Sequence, residues 1–176
     1  MLAVMRLTLA SFVLGLVGLA STAPLALSQA RSGPRSVDAC AVLTQAELKE
    51  ALGKAVRSSP VPASQPASIG VSVCMWATGD GRRTLSVTTY GPEAVQRTQT
   101  KDLKTYYESV KTSNANLARR APIVVPGAGR HASYFLNPRG TGGDVVLVLR
   151  RDAVVTINAS GLSREEIVKV ARAAGE

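Results

Sequence analysis

The chain has 176 residues, with 21 basic and 12 acidic side chains and a formal net charge of +9. This length fits one domain of ordinary size, which can bury a core of its own and need not depend on many disulfides. Aromatic residues make up only 4% of the chain, so a platform for stacking nucleic-acid bases is not expected.

The start of the chain has the three parts of a secretory signal peptide. Arg6 supplies the basic start, an apolar run follows over residues 7–20, and Ser28 and Ala30 form a small-x-small cleavage site. We therefore expect a signal peptide at residues 1–30, cut between Ala30 and Arg31.

Two alternatives to this processing remain open. Residues 21–23 also fit the cleavage rule, although Pro24 directly after them is unfavourable for the peptidase. The segment could instead stay as a membrane anchor, but its apolar run is shorter than the roughly 20 residues that a spanning helix needs. Without residues 1–30 the chain loses only one of its basic residues, so the exported form carries a net charge of +8. We expect a flexible lead-in at 31–37, a single domain at 38–176, and a periplasmic or secreted location.

The chain has two cysteines, Cys40 and Cys74, which in an exported protein most often form a disulfide. This bond closes a loop of about 34 residues, which stabilises a domain by roughly 3 to 4 kcal/mol in the chain-entropy description. A metal or redox pair is the alternative. The spacing is not Cys-x-x-Cys and His131 is the only histidine, so we expect a structural disulfide, no metal and no cofactor.

A short first helix is predicted by a capping box, in which Thr44 and Glu47 each bond to the other's backbone amide. Gly53 ends the helix because glycine accepts the left-handed conformation. Three prolines within 58–67 then predict a surface loop.

Two strands joined by a hairpin follow, at 71–77 and 84–90, with the turn residues Gly79, Asp80 and Gly81 between them. Cys74 and Trp76 lie on one face of the first strand. A disulfide to Cys40 would therefore place the first helix on that face.

The second half of the domain alternates helices and strands. We predict a helix over 92–111 and a loop over 114–125, then strands at about 131–136, 145–149 and 154–159. Ser163 and Glu166 form a second capping box that begins the last helix. The order of elements predicts an α+β domain with an antiparallel sheet of about five strands and about three helices.

Several short patterns follow one another in the mature chain: Asp38-Ala-Cys40-Ala-Val-Leu43-Thr44, Glu47-Leu48, Leu52-Gly53, Cys74-Met-Trp76 and Val125-Pro-Gly-Ala-Gly129. Their order resembles a broad group of exported bacterial domains, many of them lipoproteins of actinobacteria and other bacteria. Those domains begin with an Asp-x-Cys-x-Leu-Leu-Thr helix and pair its cysteine with one in a Cys-x-Trp strand. The resemblance implies a fold rather than an activity, because the group is mostly of unknown function. No lipobox is present here, which indicates a soluble form.

Two candidate catalytic or ligand-binding patterns have stronger structural interpretations. His131, Ser133 and Asp144 could be drawn as a nucleophilic triad, but no Gly-x-Ser-x-Gly turn holds a serine. The glycine-rich segment 140–143 could hold a phosphate, but it lies between two strands and is better explained as a hairpin turn. We therefore assign no catalytic residue.

Pairs of arginines at predicted turns are the remaining candidates for a contact site. Arg82-Arg83 and Arg150-Arg151 each fall at a hairpin turn, and Arg119-Arg120 falls in a loop. If both hairpins point the same way, one end of the sheet is strongly positive and could attract an acidic envelope protein, an anionic ligand or an anionic lipid surface. A solvated rim is the plainer interpretation.

These observations favour a non-enzymatic, exported binding or interaction domain of the bacterial cell envelope. Its contact would lie on the sheet face opposite the first helix or at the positive hairpin end. An envelope hydrolase that uses His131 and a structural accessory to another envelope protein are the alternatives. The ligand and the oligomeric state do not follow from the sequence.

Overall fold

The computed structural model describes residues 37–53, 56–60, 70–137 and 143–176. The expected signal peptide and residues 31–36 of the lead-in lie outside these ranges. So do residues 61–67 of the proline-containing loop and residues 140–142 of the glycine-rich segment.

Four α-helices, a 3₁₀ turn and seven strands make up the described part of the domain. In chain order they are the 3₁₀ turn Ala39–Ala41, α1 Gln45–Leu52, β1 Val56–Pro60, β2 Val71–Thr78, β3 Thr84–Tyr90, α2 Pro92–Arg97, α3 Leu103–Ala118, β4 Ile123–Val124, β5 His131–Phe135, β6 Asp144–Leu149, β7 Val154–Ser160 and α4 Arg164–Ala173. The strands form one antiparallel sheet in the order β1-β2-β3-β7-β6-β5-β4. The predicted α+β fold with an antiparallel sheet is confirmed.

The prediction of one continuous helix over 92–111 is wrong, both because the helix is interrupted and because it ends later. It is two helices, α2 and α3, separated by a turn in which Gln99 has a φ of 60°. Asp102 begins α3 because its carboxylate accepts a hydrogen bond of 2.8 Å from the Thr105 amide. The helix then continues to Ala118, through half of the expected loop, and Arg119 ends it in the left-handed conformation with a φ of 52°.

The two edge strands were also missed. β1 covers Val56–Pro60 and pairs with β2. It begins before the loop expected over 58–67 and includes the first three residues of that loop. β4 is only two residues long, Ile123–Val124, and lies within the remainder of the loop expected over 114–125. Proline is tolerated on an edge strand, which explains why Pro60 does not prevent pairing there.

One face of the sheet carries the larger part of the core. α1 and α4 pack on it, each begun by the capping box that the sequence predicts. The Cys40–Cys74 disulfide is present, and Trp76 is 1% exposed in the same cluster as Leu48 of α1. The predicted disulfide and the predicted side of the first helix are therefore confirmed.

On the opposite face, the residues that the structure describes cover only part of the sheet. Helix α3 packs over β5, β6 and the start of β7, where Tyr107, Phe135 and Leu149 form a second buried cluster. Beyond this helix, the corresponding residues of β2, β3 and β7 are half-buried or exposed, and Met75 is 42% exposed. An antiparallel sheet accepts such a solvated half-face.

Candidate functional site

The two arginine pairs at hairpin turns lie at opposite ends of the sheet. In the β3–β7 register, Thr84 pairs with Ser160 and Tyr90 pairs with Val154. The Arg82-Arg83 turn precedes Thr84, whereas the Arg150-Arg151 turn precedes Val154, so a whole strand separates them. Seven residues of strand span roughly 20 Å at about 3.3 Å per residue. The hypothesis that these four arginines form a single positive end of the sheet is therefore wrong.

At the first turn, one arginine of the pair has a structural role. Arg83 Nη1 lies 2.8 Å from Glu166 Oε1 and donates to the Leu52 carbonyl at 3.2 Å. Arg82 beside it is exposed. The third pair, Arg119-Arg120, is exposed at the end of α3.

At the other end of the sheet, Arg150 is fixed while Arg151 extends into solvent. The side chain of Arg150 is 19% exposed, with Nε 3.3 Å from Asp152 Oδ1 and Nη1 3.3 Å from the Ala174 carbonyl oxygen. The Arg150 amide also donates to the Ala153 carbonyl at 2.9 Å, which closes the β6–β7 turn. A guanidinium that is already positioned loses less side-chain entropy when it binds an anion.

Three more cations converge on this end of the sheet. Lys101 comes from the turn before α3, Lys104 comes from the first turn of α3, and Arg130 comes from the position before β5. With Arg150 and Arg151 they line an open cleft of about 420 Å³, which we call the basic cleft. Its remaining lining residues are Pro92, Val95, Gln96, Asp102, Leu103 and Leu149. The three arginines also line a neighbouring hollow of about 570 Å³ that contains Asp152 and Glu176.

Local backbone geometry brings these cations together. The break between α2 and α3 places Lys101 and Lys104 on either side of the capping residue Asp102. Gly129 has a φ of 59°, and a Cβ built on it would lie 2.8 Å from the Leu149 carbonyl oxygen. Only glycine fits this approach, after which the Arg130 amide donates to the same carbonyl at 2.8 Å.

The one carboxylate among the lining residues of the basic cleft does not cancel their charge. Asp102 accepts a hydrogen bond from the Thr105 amide, and this bond is the main reason why the pKa of Asp102 lies below its usual range. The carboxylate is thus ionised at neutral pH and engaged with the first turn of α3. In the ranges that the structure describes, Lys104, Arg130 and Arg151 form no ion pair with an acidic side chain. The basic cleft is therefore positively charged.

The residues drawn as a nucleophilic triad are not brought together. His131 pairs with Leu149 at one end of β6, while Asp144 begins β6 at the other end. Asp144 accepts hydrogen bonds from the Tyr134 hydroxyl and from the Asn137 amide. Burial and the bond to Asp144 both raise the pKa of Tyr134.

Ser133 has a different partner from the one that the triad requires. Its hydroxyl is buried and lies 2.7 Å from the Tyr107 hydroxyl, and burial raises the pKa of Tyr107. His131 is exposed, and its ring centroid lies 6.3 Å from that of Tyr107. Ser133 and Tyr107 thus form an internal hydrogen bond beneath α3.

Among the described residues, no group of histidine, cysteine, aspartate and glutamate is arranged to hold a metal ion. In the same ranges, no helix is both long enough and apolar enough to span a bilayer. No protein-family model, curated protein or solved structure matches this chain. The resemblance to exported bacterial domains therefore stays a prediction.

Proposed function

We propose that this chain is an exported, non-enzymatic binding domain of the bacterial cell envelope, which holds an anionic ligand in the basic cleft. The observation that carries the proposal is the convergence of five cationic side chains from three separate segments on one cleft of about 420 Å³. Ligand sites are typically clefts of roughly 300 to 1,000 Å³ with a few converging polar groups. This cleft also lies on the side of the sheet opposite α1, because Leu149 and Leu103 belong to the cluster under α3.

Electrostatics supports an anion as the ligand. Like charges brought close together repel, so five cations around one lining carboxylate favour an anion that enters the cleft. Three of the five cations are arginines, whose planar guanidinium matches two oxygens of a phosphate or carboxylate at once. The net charge of +8 on the chain without residues 1–30 adds a weaker attraction at longer range.

Export is the second part of the proposal. A disulfide is stable in an oxidising compartment, so the Cys40–Cys74 bond is compatible with the signal peptide expected at residues 1–30. Mass spectrometry of the secreted or periplasmic protein should find a new amino terminus at or near Arg31. Recovery of the chain from the membrane with Met1 still present would contradict export as a cleaved form.

The structure of the sheet supports a structural accessory as a second candidate function. The half-face of β2, β3 and β7 beyond α3 includes Met75, which is 42% exposed. Cross-linking in envelope extracts separates the two candidates. The accessory function predicts that Met75→Glu loses a cross-linked partner that Arg151→Glu keeps, whereas ligand binding in the basic cleft predicts that both variants keep the cross-linking pattern of the parent.

An NMR titration with inorganic phosphate tests the main proposal. Backbone amides of Lys104, Arg130 and Arg151 should shift as phosphate is added, and the effect should weaken as NaCl rises from 50 to 300 mM because salt screens exposed charges. Amides of the distant β2–β3 turn serve as the internal control. Equal shifts at Arg82, or shifts that ignore salt, would overturn the assignment of the site.

A further inference from the structure

Aliphatic side chains line the basic cleft beside its cations. Leu103 is half-buried and Pro92 is exposed, while Val95 and Leu149 are 1% and 4% exposed beneath them. A site for a small, fully hydrated ion has no use for such carbon surface. A tetrahedral oxyanion also fills only a few water volumes of about 30 Å³ each, far less than the 420 Å³ of the cleft.

We infer that the basic cleft binds an amphiphilic phosphate, with the phosphate among the arginines and lysines and the first carbons of an alkyl chain against Leu103 and Pro92. This inference rests on the proposed anion-binding function and names its ligand class. Burial of the chain removes apolar surface from water, and this should tighten binding about fourfold for each methylene covered.

Two sources can present this chemistry, a free alkyl phosphate and the headgroup of an anionic phospholipid. Both place a phosphate next to aliphatic carbon. An acidic peptide differs from both, because its carboxylates lie on polar backbone and it gains little from Leu103. The cleft therefore favours the amphiphile over an acidic protein.

Calorimetric titration of the purified protein with hexyl phosphate and with inorganic phosphate tests the inference. Hexyl phosphate should bind at least tenfold more tightly. If neither compound binds, the proposed function itself fails. If both bind equally, or if a glutamate oligopeptide binds more tightly than hexyl phosphate, the anion site survives and the inference of an amphiphile is overturned.

A variant of the apolar wall sharpens the test. Leu103→Asn should lower the ratio of the affinity for hexyl phosphate to the affinity for inorganic phosphate by about fourfold or more, since it removes apolar surface from the wall of the cleft. Leu117→Asn is the matched control, since it makes the same change on the same helix at a residue that is 78% exposed. Loss of the preference for hexyl phosphate in both variants, or in neither, would contradict the role of Leu103.

Methyl NMR keeps the inference testable if Leu103→Asn does not fold. In the unaltered protein, the methyl resonances of Leu103 should shift with hexyl phosphate and not with inorganic phosphate. Vesicles then identify the source. Binding to phosphatidylglycerol vesicles that hexyl phosphate displaces indicates a lipid headgroup, and binding of monomers alone indicates a free alkyl phosphate. Unchanged Leu103 methyl resonances would overturn the inference.

Discussion

The guanidinium of Arg83 and the carboxylate of Glu166 form an ion pair of 2.8 Å that joins the β2–β3 turn to the first turn of α4. The same guanidinium donates to the Leu52 carbonyl, at the end of α1. One side chain therefore connects three elements, and the first arginine pair differs in role from the pair at the basic cleft.

Replacement of the acidic partner should destabilise the domain in a pH-dependent way. Hydrogen bonding to the Ser163 amide, and then to Arg83, holds the pKa of Glu166 below its usual 4.5. Its ionised form thus adds stability that is fully present above pH 4.5 and is lost as pH falls through the lower value in the folded state. Glu166→Gln should cost about 1 kcal/mol at pH 7, because the partly exposed ion pair is lost and the capping bond from the Ser163 amide no longer has a charged acceptor.

Urea unfolding at pH 7 and at pH 3 to 4 measures this effect, and the difference between variant and parent should shrink at the lower pH. Glu165→Gln is the control, because it makes the same chemical change in the same helical turn at an exposed side chain. Equal losses in the two variants would contradict the role of Glu166.

Loss of the disulfide should have a larger effect. The Cys40–Cys74 bond spans a sequence separation of 34 residues, for which the chain-entropy description gives about 3 to 4 kcal/mol. Cys40→Ser should lower the free energy of unfolding by that amount in urea. Reducing agent should bring the parent down to the level of the variant and leave the variant unchanged. Two titratable thiols in the oxidised native protein would refute the bond.

The buried hydrogen bond between Ser133 and Tyr107 should appear as energetic coupling. Ser133→Ala leaves the Tyr107 hydroxyl buried without this partner, at a cost of about 1 to 3 kcal/mol. Tyr107→Phe likewise leaves the Ser133 hydroxyl buried without its Tyr107 partner. The double variant should cost less than the two single changes added together, and strict additivity in urea unfolding would show that the bond contributes nothing.

Much of the fold follows from local signals in the sequence. The capping boxes at Thr44 and Ser163 begin helices where they predict them, and the hairpin residues between β2 and β3 turn the chain as expected. These features succeed because each depends on hydrogen bonds or backbone conformations within a few residues.

The missed elements depend on contacts that the sequence does not show locally. β1 and β4 are short edge strands, so pairing with one neighbour rather than an apolar alternation defines them. The break before α3 had a usable signal, because Asp102 follows a wholly polar stretch and can cap a helix at Thr105.

The candidate site was only half predictable for the same reason. Arg150 and Arg151 are evident as a pair at a turn, but Lys101, Lys104 and Arg130 reach the basic cleft from distant parts of the chain. Which end of the sheet each turn occupies follows from the β3–β7 pairing, and that pairing joins strands separated by more than 60 residues.

A comparison of Arg151→Glu with Arg82→Glu tests the central claim most directly. Both changes lower the net charge equally at exposed arginines of hairpin turns, and the two turns lie further apart than the Debye length of about 10 Å at 0.1 M salt. The affinity for inorganic phosphate, measured by NMR titration at 0.1 M salt, should fall about tenfold or more in Arg151→Glu and stay within about twofold of the parent in Arg82→Glu. Equal losses would show a response to net charge alone and would contradict the basic cleft as the binding site.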